Sequence, residues 1–453
     1  MSNKYELKEK ARDYSIQEGI FASMKNSFGG RFFQPFAIAI NSSNSFVAMI
    51  TSITGLLGPI SQLFSYKLIE KYSRKKIILK SIFYESLFWI PLIAIAVLFQ
   101  KGIATNLLPL AFLIFIGFII ISENAIHPAW FSWIGDIVDK KYRGRWFAKR
   151  NLINDFVAAS IVILASFFLD YTKKQNGLMY GFIILFSFAL ISRLLALRII
   201  KKIYEPKIKI KKNKKDSFIN FVINSPKTNF GKLAIFRFLF TFSFAISASL
   251  LAVYILRYLK FSYTAYIIIL LLGPLMSVFS LKFLGIFSDK YGNYKLLIIA
   301  TIMLPIIQAS WIFYESFFYL LAVSTISGIT WAGIHLAENN FIYDNIKKQD
   351  RGKAISYYNM YWGIGTSAGA FLGAILIKFL HTSFFAPIKL IFIISAIFGL
   401  VCILSCISKL KEIRKVREVK RDFLKKMIFH DGMKTINDEI HYIKSIPHYI
   451  EMR

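Results

Sequence analysis

Hydrophobic residues in this chain form long runs separated by short stretches rich in lysine and arginine. An α-helix rises about 1.5 Å per residue, so about twenty apolar residues cross a hydrocarbon core about 30 Å thick. The pattern predicts an all-α membrane protein with twelve transmembrane helices, six in each half of the chain. The predicted spans are 19–41, 44–68, 76–100, 106–136, 145–169, 177–200, 231–257, 262–286, 293–315, 317–344, 353–378 and 386–408.

A charged motif between two apolar runs occurs twice. Residues 127–151 read HPAWFSWIGDIVDKKYRGRWFAKRN, and residues 335–359 read HLAENNFIYDNIKKQDRGKAISYYN, with eight of the twenty-five positions identical. A segment that begins at Arg31 matches one that begins at Arg237, and residues 56–59 match residues 271–274. Repetition at a nearly constant spacing indicates a duplicated unit. The sequence therefore predicts two pseudo-symmetric bundles of six helices each.

Composition supports membrane insertion, because 56% of the residues are hydrophobic and the mean hydropathy is +0.52. The formal net charge is +32, but the basic residues interrupt apolar runs and form no soluble patch. This arrangement favours anionic membrane lipids as their partner, and no nucleic acid is expected. The two cysteines, Cys402 and Cys406, lie in an apolar run and are interpreted as small core residues.

The distribution of lysine and arginine predicts the orientation of the chain. Cytoplasmic loops carry an excess of both residues, and here the basic stretches alternate from one loop to the next. Both termini are therefore expected in the cytoplasm, with the protein in the plasma membrane. The predicted segments are a cytoplasmic N-terminal segment (1–18), a first half (19–204), a basic cytoplasmic linker (205–229), a second half (230–409) and a basic cytoplasmic tail (410–453). The tail is interpreted either as a helix on the inner leaflet or as a solvated charged helix.

A short motif lies between the second and third predicted spans of the second half. It contains Gly285, Asp289, Lys290, Gly292 and Lys295 in the pattern G-x3-D-K-x-G-x2-K. The equivalent turn of the first half keeps the acid and the basic residues, but has Tyr66 and Ser73 where the pattern prefers glycine. Its acidic and basic positions include Glu70, Lys71 and Arg74.

This motif, the duplicated D-x6-R-G segments and the two halves joined by a basic linker resemble the major facilitator superfamily. The resemblance covers nearly the whole chain, and it implies a transporter whose halves rock about a central site. A monomer is expected. The resemblance does not name a substrate, because the fold serves many solutes.

The charged residues near the predicted cytoplasmic turns are candidates for a gate. We expect them to hold the cytoplasmic side shut when the opposite side is open, although they could instead only fix the topology. The gate candidates are Glu70, Lys71, Arg74, Asp136, Arg143, Gly144, Gly285, Asp289, Lys290, Gly292, Lys295, Asp344, Arg351 and Gly352.

Charged residues inside the predicted spans are candidates for substrate binding or ion coupling, because charges are costly in hydrocarbon. Glu123 and His127 are four residues apart and share one face of the fourth span, which suits proton coupling. The alternative is that Glu123 lies near the far interface and His127 bonds a neighbouring helix. The cavity or coupling candidates are Arg31, Gln34, Glu85, Glu123, His127, Asp155, Arg237, His335 and Glu338.

Arg31 and Arg237 have two interpretations. Each either neutralises a membrane acid such as Glu85 or Asp155, or binds an anionic group of the substrate. Glu338 is a candidate for the cavity or, alternatively, for the gate. Four glycines at close spacing in the eleventh span favour close helix packing; they are Gly363, Gly365, Gly369 and Gly373.

The sequence therefore predicts a secondary active transporter of a small solute, coupled to protons or another ion. It shows no Walker A loop, no dinucleotide turn and no cluster of metal ligands, so no cofactor and no metal site are predicted. An amphipathic or zwitterionic substrate suits the mixed candidates better than a neutral sugar. A transport-inactive receptor or scaffold on the same fold is the alternative. A membrane-embedded acyltransferase is disfavoured because it would not need a duplicated histidine.

Overall fold

The computed structural model describes residues 2–69, 71–139, 141–206, 218–347, 350–380 and 386–413. Within these ranges the chain is helical and contains no strand. The predictions for Glu70, for residues 207–217 of the basic linker and for the tail beyond residue 413 lie outside the described residues.

The described part of the first half contains seven α-helices, of which the first two together form one span. They are α1 (Ser2–Phe28), α2 (Phe33–Ala39), α3 (Asn44–Ile69), α4 (Arg74–Gln100), α5 (Leu108–Ile137), α6 (Arg143–Lys174) and α7 (Leu178–Lys202). Seven α-helices are also found among the described residues of the second half. They are α8 (Phe218–Asn224), α9 (Asn229–Ala248), α10 (Tyr263–Tyr291), α11 (Asn293–Ser310), α12 (Phe317–Asn345), α13 (Arg351–Phe379) and α14 (Pro387–Cys406). A π-helical segment, Val253–Tyr258, extends α9 and completes the seventh span.

Eleven helices of the described chain are long and apolar enough to cross a membrane. The remaining predicted span is the α1–α2 pair, which contains buried charged residues and is less hydrophobic for that reason. Its helix breaks at Gly29, where a Cβ atom would lie 2.0 Å from the ring of Trp89. The structure thus agrees with twelve spans. It also shows that α1 begins at Ser2 and not near residue 19, so the predicted N-terminal segment belongs to the first bundle.

We call the face that carries the connection between the halves the linker side, and the opposite face the far side. Every hydrogen bond that joins the two halves between described residues lies toward the far side. The first-half residues that take part in these hydrogen bonds are Gln34, Ile38 (through its carbonyl), Ser42, Asn44, Ser52 and Asp170. On the linker side, a Cβ atom added at Gly144, Gly285 or Gly352 would meet no atom within 4 Å. The molecule is therefore closed on the far side and open on the linker side.

The duplication is visible in the contacts at the linker side. Arg143 donates hydrogen bonds to the carbonyls of Gly135 and Val138, at the end of α5. Arg351 donates to the carbonyls of Tyr343 and Ile346, which occupy the same relative positions at the end of α12. A cation at a helix C-terminus satisfies free carbonyls and interacts favourably with the helix dipole. The arginine of each D-x6-R-G motif therefore caps the helix that precedes it.

A second pair of equivalent contacts joins the end of each half to the start of its third span. The backbone N–H of Lys75 donates to Glu205, after α7, and the backbone N–H of Tyr294 donates to Glu412, after α14. Carboxylates are favourable at helix N-termini because the first N–H groups lack helical partners. These two caps fix the last helix of each half against the third span.

Glycines of α13 allow it to pack directly on the backbone of α9. A Cβ atom at Gly365, Gly369 or Gly373 would lie 2.4, 2.0 or 2.3 Å from a carbonyl oxygen of α9. Gly363 faces the other half, where a Cβ atom would lie 2.4 Å from Pro59. The predicted close approach of the eleventh span is confirmed, and it serves both the second bundle and the contact between the halves.

We predict that Gly369→Ala destabilises the protein by roughly 1–3 kcal/mol, because the added methyl group must push α13 away from α9. The measurement is the thermal denaturation of purified protein in detergent. Gly135→Ala is the matched control, because a Cβ atom at Gly135 of α5 would meet nothing within 4 Å. Equal melting temperatures for the two variants would contradict this account of the α9–α13 contact.

Candidate functional site

A chain of ion pairs runs through the first half. Its six members, in order, are Arg150, Glu18, Arg193, Glu85, Lys25 and Glu123. The successive nitrogen–oxygen distances are 3.4, 4.0, 2.6, 2.9 and 3.0 Å. The members come from α1, α4, α5, α6 and α7, so the chain joins five helices. We refer to these six residues as the charge chain.

The middle of the charge chain is almost fully buried. The side chains of Lys25 and Glu85 are 2% and 0% exposed, and that of Arg193 is 3% exposed. An unpaired charge in such surroundings costs several kcal/mol, whereas alternating acids and bases neutralise one another. The chain contains three acids and three bases, so its net charge is zero when all six are ionised.

The exposed end of the charge chain is Glu123, whose side chain is 24% exposed. Its Oε1 atom accepts from Lys25 at 3.0 Å and from Asn26 at 3.2 Å. Among the described residues, its Oε2 atom accepts no hydrogen bond. His127 is also exposed and lies one helical turn closer to the linker side. The two residues therefore share an accessible face of α5, as the sequence predicts.

Glu123 lines a cavity of about 440 Å³ in the first half. We refer to it as the first cavity. Polar side chains on its wall include Asn26, Arg31, Gln34, Thr51 and Thr54. Gln34 donates to the Thr51 hydroxyl at 3.2 Å and, across the interface, to the Ser249 carbonyl at 3.1 Å.

Arg31 does not pair with Glu85 or Asp155, which were its partners in one of the two sequence-based interpretations. Glu85 binds Lys25 and Arg193 instead, and among the described residues Arg31 makes no ion pair. Asp155 is exposed on α6, makes no ion pair with a described residue and does not line the first cavity. Of the candidates in the first half, the structure thus brings Arg31, Gln34 and Glu123 together at one cavity.

Arg237, the counterpart of Arg31, is neutralised. Its Nη1 atom donates to both carboxylate oxygens of Glu338, at 2.9 and 2.7 Å, and both side chains are buried. The rings of Trp331, Tyr358 and Trp362 lie with their centroids 5.6, 5.9 and 6.0 Å from the guanidinium carbon. Glu338 is therefore the internal partner of Arg237 in this conformation.

A second cavity, of about 360 Å³, lies in the second half. We refer to it as the second cavity. Its wall is mostly apolar and aromatic, with Phe244, Trp311, Trp331 and Phe392, and His335 stacks on Trp331 at a ring distance of 5.3 Å. His335 also lies 3.8 Å from Glu338. The described residues contain no group of three or more potential metal ligands.

The comparison with known families decides the identity of this fold. The model of the Major Facilitator Superfamily matches residues 15–281 and 233–433. The chain belongs to the major facilitator superfamily. No curated protein matches the chain at a significant level of sequence similarity.

Solved structures agree with this superfamily membership. A mutant of the nucleoside transporter NupG has 11% identity and a TM-score of 0.67, covering 89% of this chain and 100% of its own. A bacterial metal transporter has 13% identity and a TM-score of 0.61, covering 89% and 98%. A bacterial homologue of the human lysosomal transporter Spinster, solved inward-facing, has 13% identity and a TM-score of 0.58, covering 91% and 99%. This likeness concerns the fold. Membership of the superfamily supports a multi-pass membrane transporter.

At the linker side, the gate candidates Arg74, Asp136 and Asp344 bind partners within their own half. Arg74 binds Asp136 at 2.5 Å, and Asn293 binds Asp344 at 2.9 Å. Arg74 and Asn293 are the first residues of α4 and α11, so the two halves use equivalent positions. Gly292 has φ +97°, a conformation that favours glycine, whereas Gly285 lies inside α10. A gate that closes between the halves belongs to the opposite conformation and stays a prediction.

Two reciprocal caps close the far side. Asp170, at the end of α6, accepts from the backbone N–H groups of Tyr263 and Thr264 at 2.8 and 2.9 Å, at the start of α10. Arg257 of the second half donates to the carbonyl of Ser42 at 2.8 Å and to the side chain of Asn44, just beyond α2. Each half thus binds a helix end of the other with a charge of favourable sign.

Several of these residues were not singled out from the sequence. Lys25 and Arg193 lie inside predicted spans. This position is a signal that could have identified them, because a charged residue within a membrane span is a candidate for a functional role. Arg257 and Asp170 lie at predicted far-side turns, where nothing in the sequence indicates a partner in the other half. Glu18 and Arg150 lie near predicted span ends and gave no comparable signal.

We predict that Lys25→Met destabilises the protein by about 3 kcal/mol or more, because it leaves buried acidic charge in excess. Thermal denaturation in detergent measures the effect. Lys10→Met is the matched control on the same helix, since the Lys10–Glu6 pair is 63% exposed at both side chains. Exposed pairs contribute little, so this variant should melt like the wild type. A similar loss in both variants would argue against the charge chain.

We also predict that Asp170→Ala opens the far side. Loss of two charge-assisted hydrogen bonds should raise the population of the open form about tenfold or more. The reporter is Ser249→Cys in a chain that also carries Cys402→Ala and Cys406→Ala. Ser249 is fully buried at the closed interface, so an impermeant maleimide should label the new cysteine only when the far side opens. Asp13→Ala, which removes an exposed acid of α1, is the control. Unchanged labelling of the Asp170 variant would refute the closing role.

Proposed function

We propose that the protein is a secondary active transporter that moves a small solute by alternating access and couples it to protons through Glu123. The linker side is assigned to the cytoplasm, so both termini are cytoplasmic and the protein lies in the plasma membrane. Superfamily membership and the preponderance of lysine and arginine at the linker side support this assignment.

The position of Glu123 carries the proposal. It is the carboxylate on the wall of the first cavity, and it is also the last member of the charge chain. Lys25 and Asn26 both bind Oε1, which leaves Oε2 for a proton from the cavity. His127, exposed on the same face of α5, provides an exchangeable proton site nearer the linker side.

Protonation of Glu123 would change the balance of the charge chain. Lys25 would lose one of its two carboxylate partners but would keep Glu85 at 2.9 Å. The chain would then carry one excess positive charge, in a region where charge is costly. Binding of a proton at the cavity is thereby linked to the packing of five helices, which is what coupling requires.

The described conformation supports alternating access, because it has the features expected of one of the two states that this mechanism needs. The far side is closed by the caps at Asp170 and Arg257, and the linker side is open. In the opposite state the linker-side charges would meet across the halves, which is the predicted role of Glu70, Asp136, Asp289, Asp344, Arg143 and Arg351. Four of them, Asp136, Asp344, Arg143 and Arg351, would then exchange partners in their own half for partners in the other half.

We predict that Glu123→Gln abolishes accumulation driven by a proton gradient while leaving exchange of solute across the membrane. The glutamine cannot ionise, so the carrier can still rock but cannot take up and release the coupling proton. Uptake into proteoliposomes with and without an imposed pH gradient measures the two activities.

Glu6→Gln is the matched control, because Glu6 is exposed at the start of α1, away from the cavity. It should accumulate solute like the wild type. Accumulation by Glu123→Gln at the wild-type level would remove Glu123 from the coupling mechanism. Ligand binding without any flux in the wild type would instead favour a transport-inactive receptor.

A further inference from the structure

The two arginines related by the duplication have different surroundings. Arg237 is buried and bound by Glu338 at 2.7 Å, so its charge is neutralised within the second half. Arg31 is exposed at the first cavity and has no ion-pair partner among the described residues. A cation that faces a cavity inside a membrane protein requires either water or an anionic partner.

The other charges of the first cavity do not compensate Arg31. Glu123 lies on the same wall, but Lys25 binds it at 3.0 Å, and the charge chain to which both belong is neutral. The described wall of the first cavity therefore has one uncompensated positive charge. This charge balance favours a ligand with a single negative charge over a cation, a neutral sugar or a polyanion.

Polar groups beside Arg31 can complete an anion site. Asn26, Thr51 and Thr54 line the same cavity. The Thr51 hydroxyl accepts from Gln34 at 3.2 Å, so its own proton remains available to a ligand oxygen. A guanidinium with neighbouring hydroxyl and amide donors suits a carboxylate, or a phosphate ester with one charge, because it can bind two oxygens at once.

The second cavity suits an apolar body attached to that anionic group. Trp311, Trp331, Phe244 and Phe392 are on its wall, and its described polar groups include serines, Gln308 and His335. A hydrogen bond across the interface of the halves links the walls of the two cavities. Gln34 of the first cavity binds the carbonyl of Ser249, whose neighbour Ala248 lines the second.

We propose that the transported solute is an amphipathic organic monoanion. Its anionic group binds Arg31 in the first cavity, and its aromatic or aliphatic body occupies the second cavity. This assignment rests on the proposed transport function, because it names the substrate class of the same site. It also gives the duplicated arginines separate roles, since Arg31 binds the ligand and Arg237 maintains the structure of the second half.

The test uses purified full-length protein and three matched series of small molecules. The series differ in their aromatic body, which is phenyl, indole or naphthalene. Within each series the same body carries a carboxylate, a carboxamide or an ammonium group, as in phenylacetate, phenylacetamide and phenethylamine. Thermal stabilisation measures binding, because a ligand of the native state raises the melting temperature. The variants are Arg31→Gln, which removes the charge, Arg31→Lys, which keeps it, and Arg198→Gln as a control on an exposed arginine of α7.

We expect carboxylates, but not the amides or amines, to stabilise the wild type and the Arg198 variant. Arg31→Gln should weaken carboxylate binding about tenfold or more, which is the range for a lost charge-assisted hydrogen bond. Arg31→Lys should retain part of the affinity. Amides that bind as well as carboxylates, absence of carboxylate binding in all three series, or carboxylate binding unaffected in Arg31→Gln would each overturn the assignment.

Flux of the same compounds into proteoliposomes separates this proposal from the proposed function. Carboxylate binding that depends on Arg31, without flux, would support the anion site and overturn transport. Flux of amines or amides that does not depend on Arg31 would support transport and overturn the anion site. The melting temperature without ligand checks that each variant folds. Arg31→Gln should melt close to the wild type, because Arg31 makes no ion pair with a described residue.

Discussion

Neutralisation of buried charge is the constraint on which the first half of this transporter depends. Lys25, Glu85 and Arg193 are nearly inaccessible, and each is stable there only because a residue from another helix pairs with it. The pairs join α1, α4, α5, α6 and α7, so they fix the lateral arrangement of those helices. The ends of the charge chain, Arg150 and Glu123, are its more accessible members. A change of charge at either end must therefore be accommodated by the helices in between.

The duplication has kept the contacts that cap helices and changed those that carry charge in the interior. Arg143 and Arg351 bind carbonyls at the same relative positions, as Glu205 and Glu412 bind equivalent backbone N–H groups. Inside the membrane the halves diverge. At the spacing that relates residues 127–151 to residues 335–359, Glu123 corresponds to Trp331, and Trp130 corresponds to Glu338. Acid and tryptophan have thus exchanged places between α5 and α12. The first half has an ionisable cavity as a result, and the second half has an aromatic one.

Much of the fold could be predicted from the sequence, because hydrophobic runs, basic turns and repeats are local or periodic signals. The bounds of α4, 74–100 against a predicted 76–100, show how well length and polarity define a span. The partners of buried charges could not be predicted in this way. Whether Glu85 binds Lys25 or Arg31 depends on the rotation of α1 and on the position of its break at Gly29. Trp89, on α4, packs against Gly29 and so helps to determine where the break occurs. The far-side caps were missed for a related reason, since Asp170 and Arg257 bind backbone groups of the other half, and such groups have no sequence signature.

Helix α6 connects the two kinds of contact. Arg150, near its linker-side end, begins the charge chain, and Asp170, near its far-side end, caps α10. The roughly twenty residues between them span about 30 Å at the rise of an α-helix, which is about the thickness of the hydrocarbon core. Within the proposed function, a proton on Glu123 alters the charge balance that holds Arg150 in place, and any resulting tilt of α6 also displaces Asp170 from α10. Glu123 can therefore influence the far-side closure without contacting it, because one rigid helix belongs to both the charge chain and the closed interface.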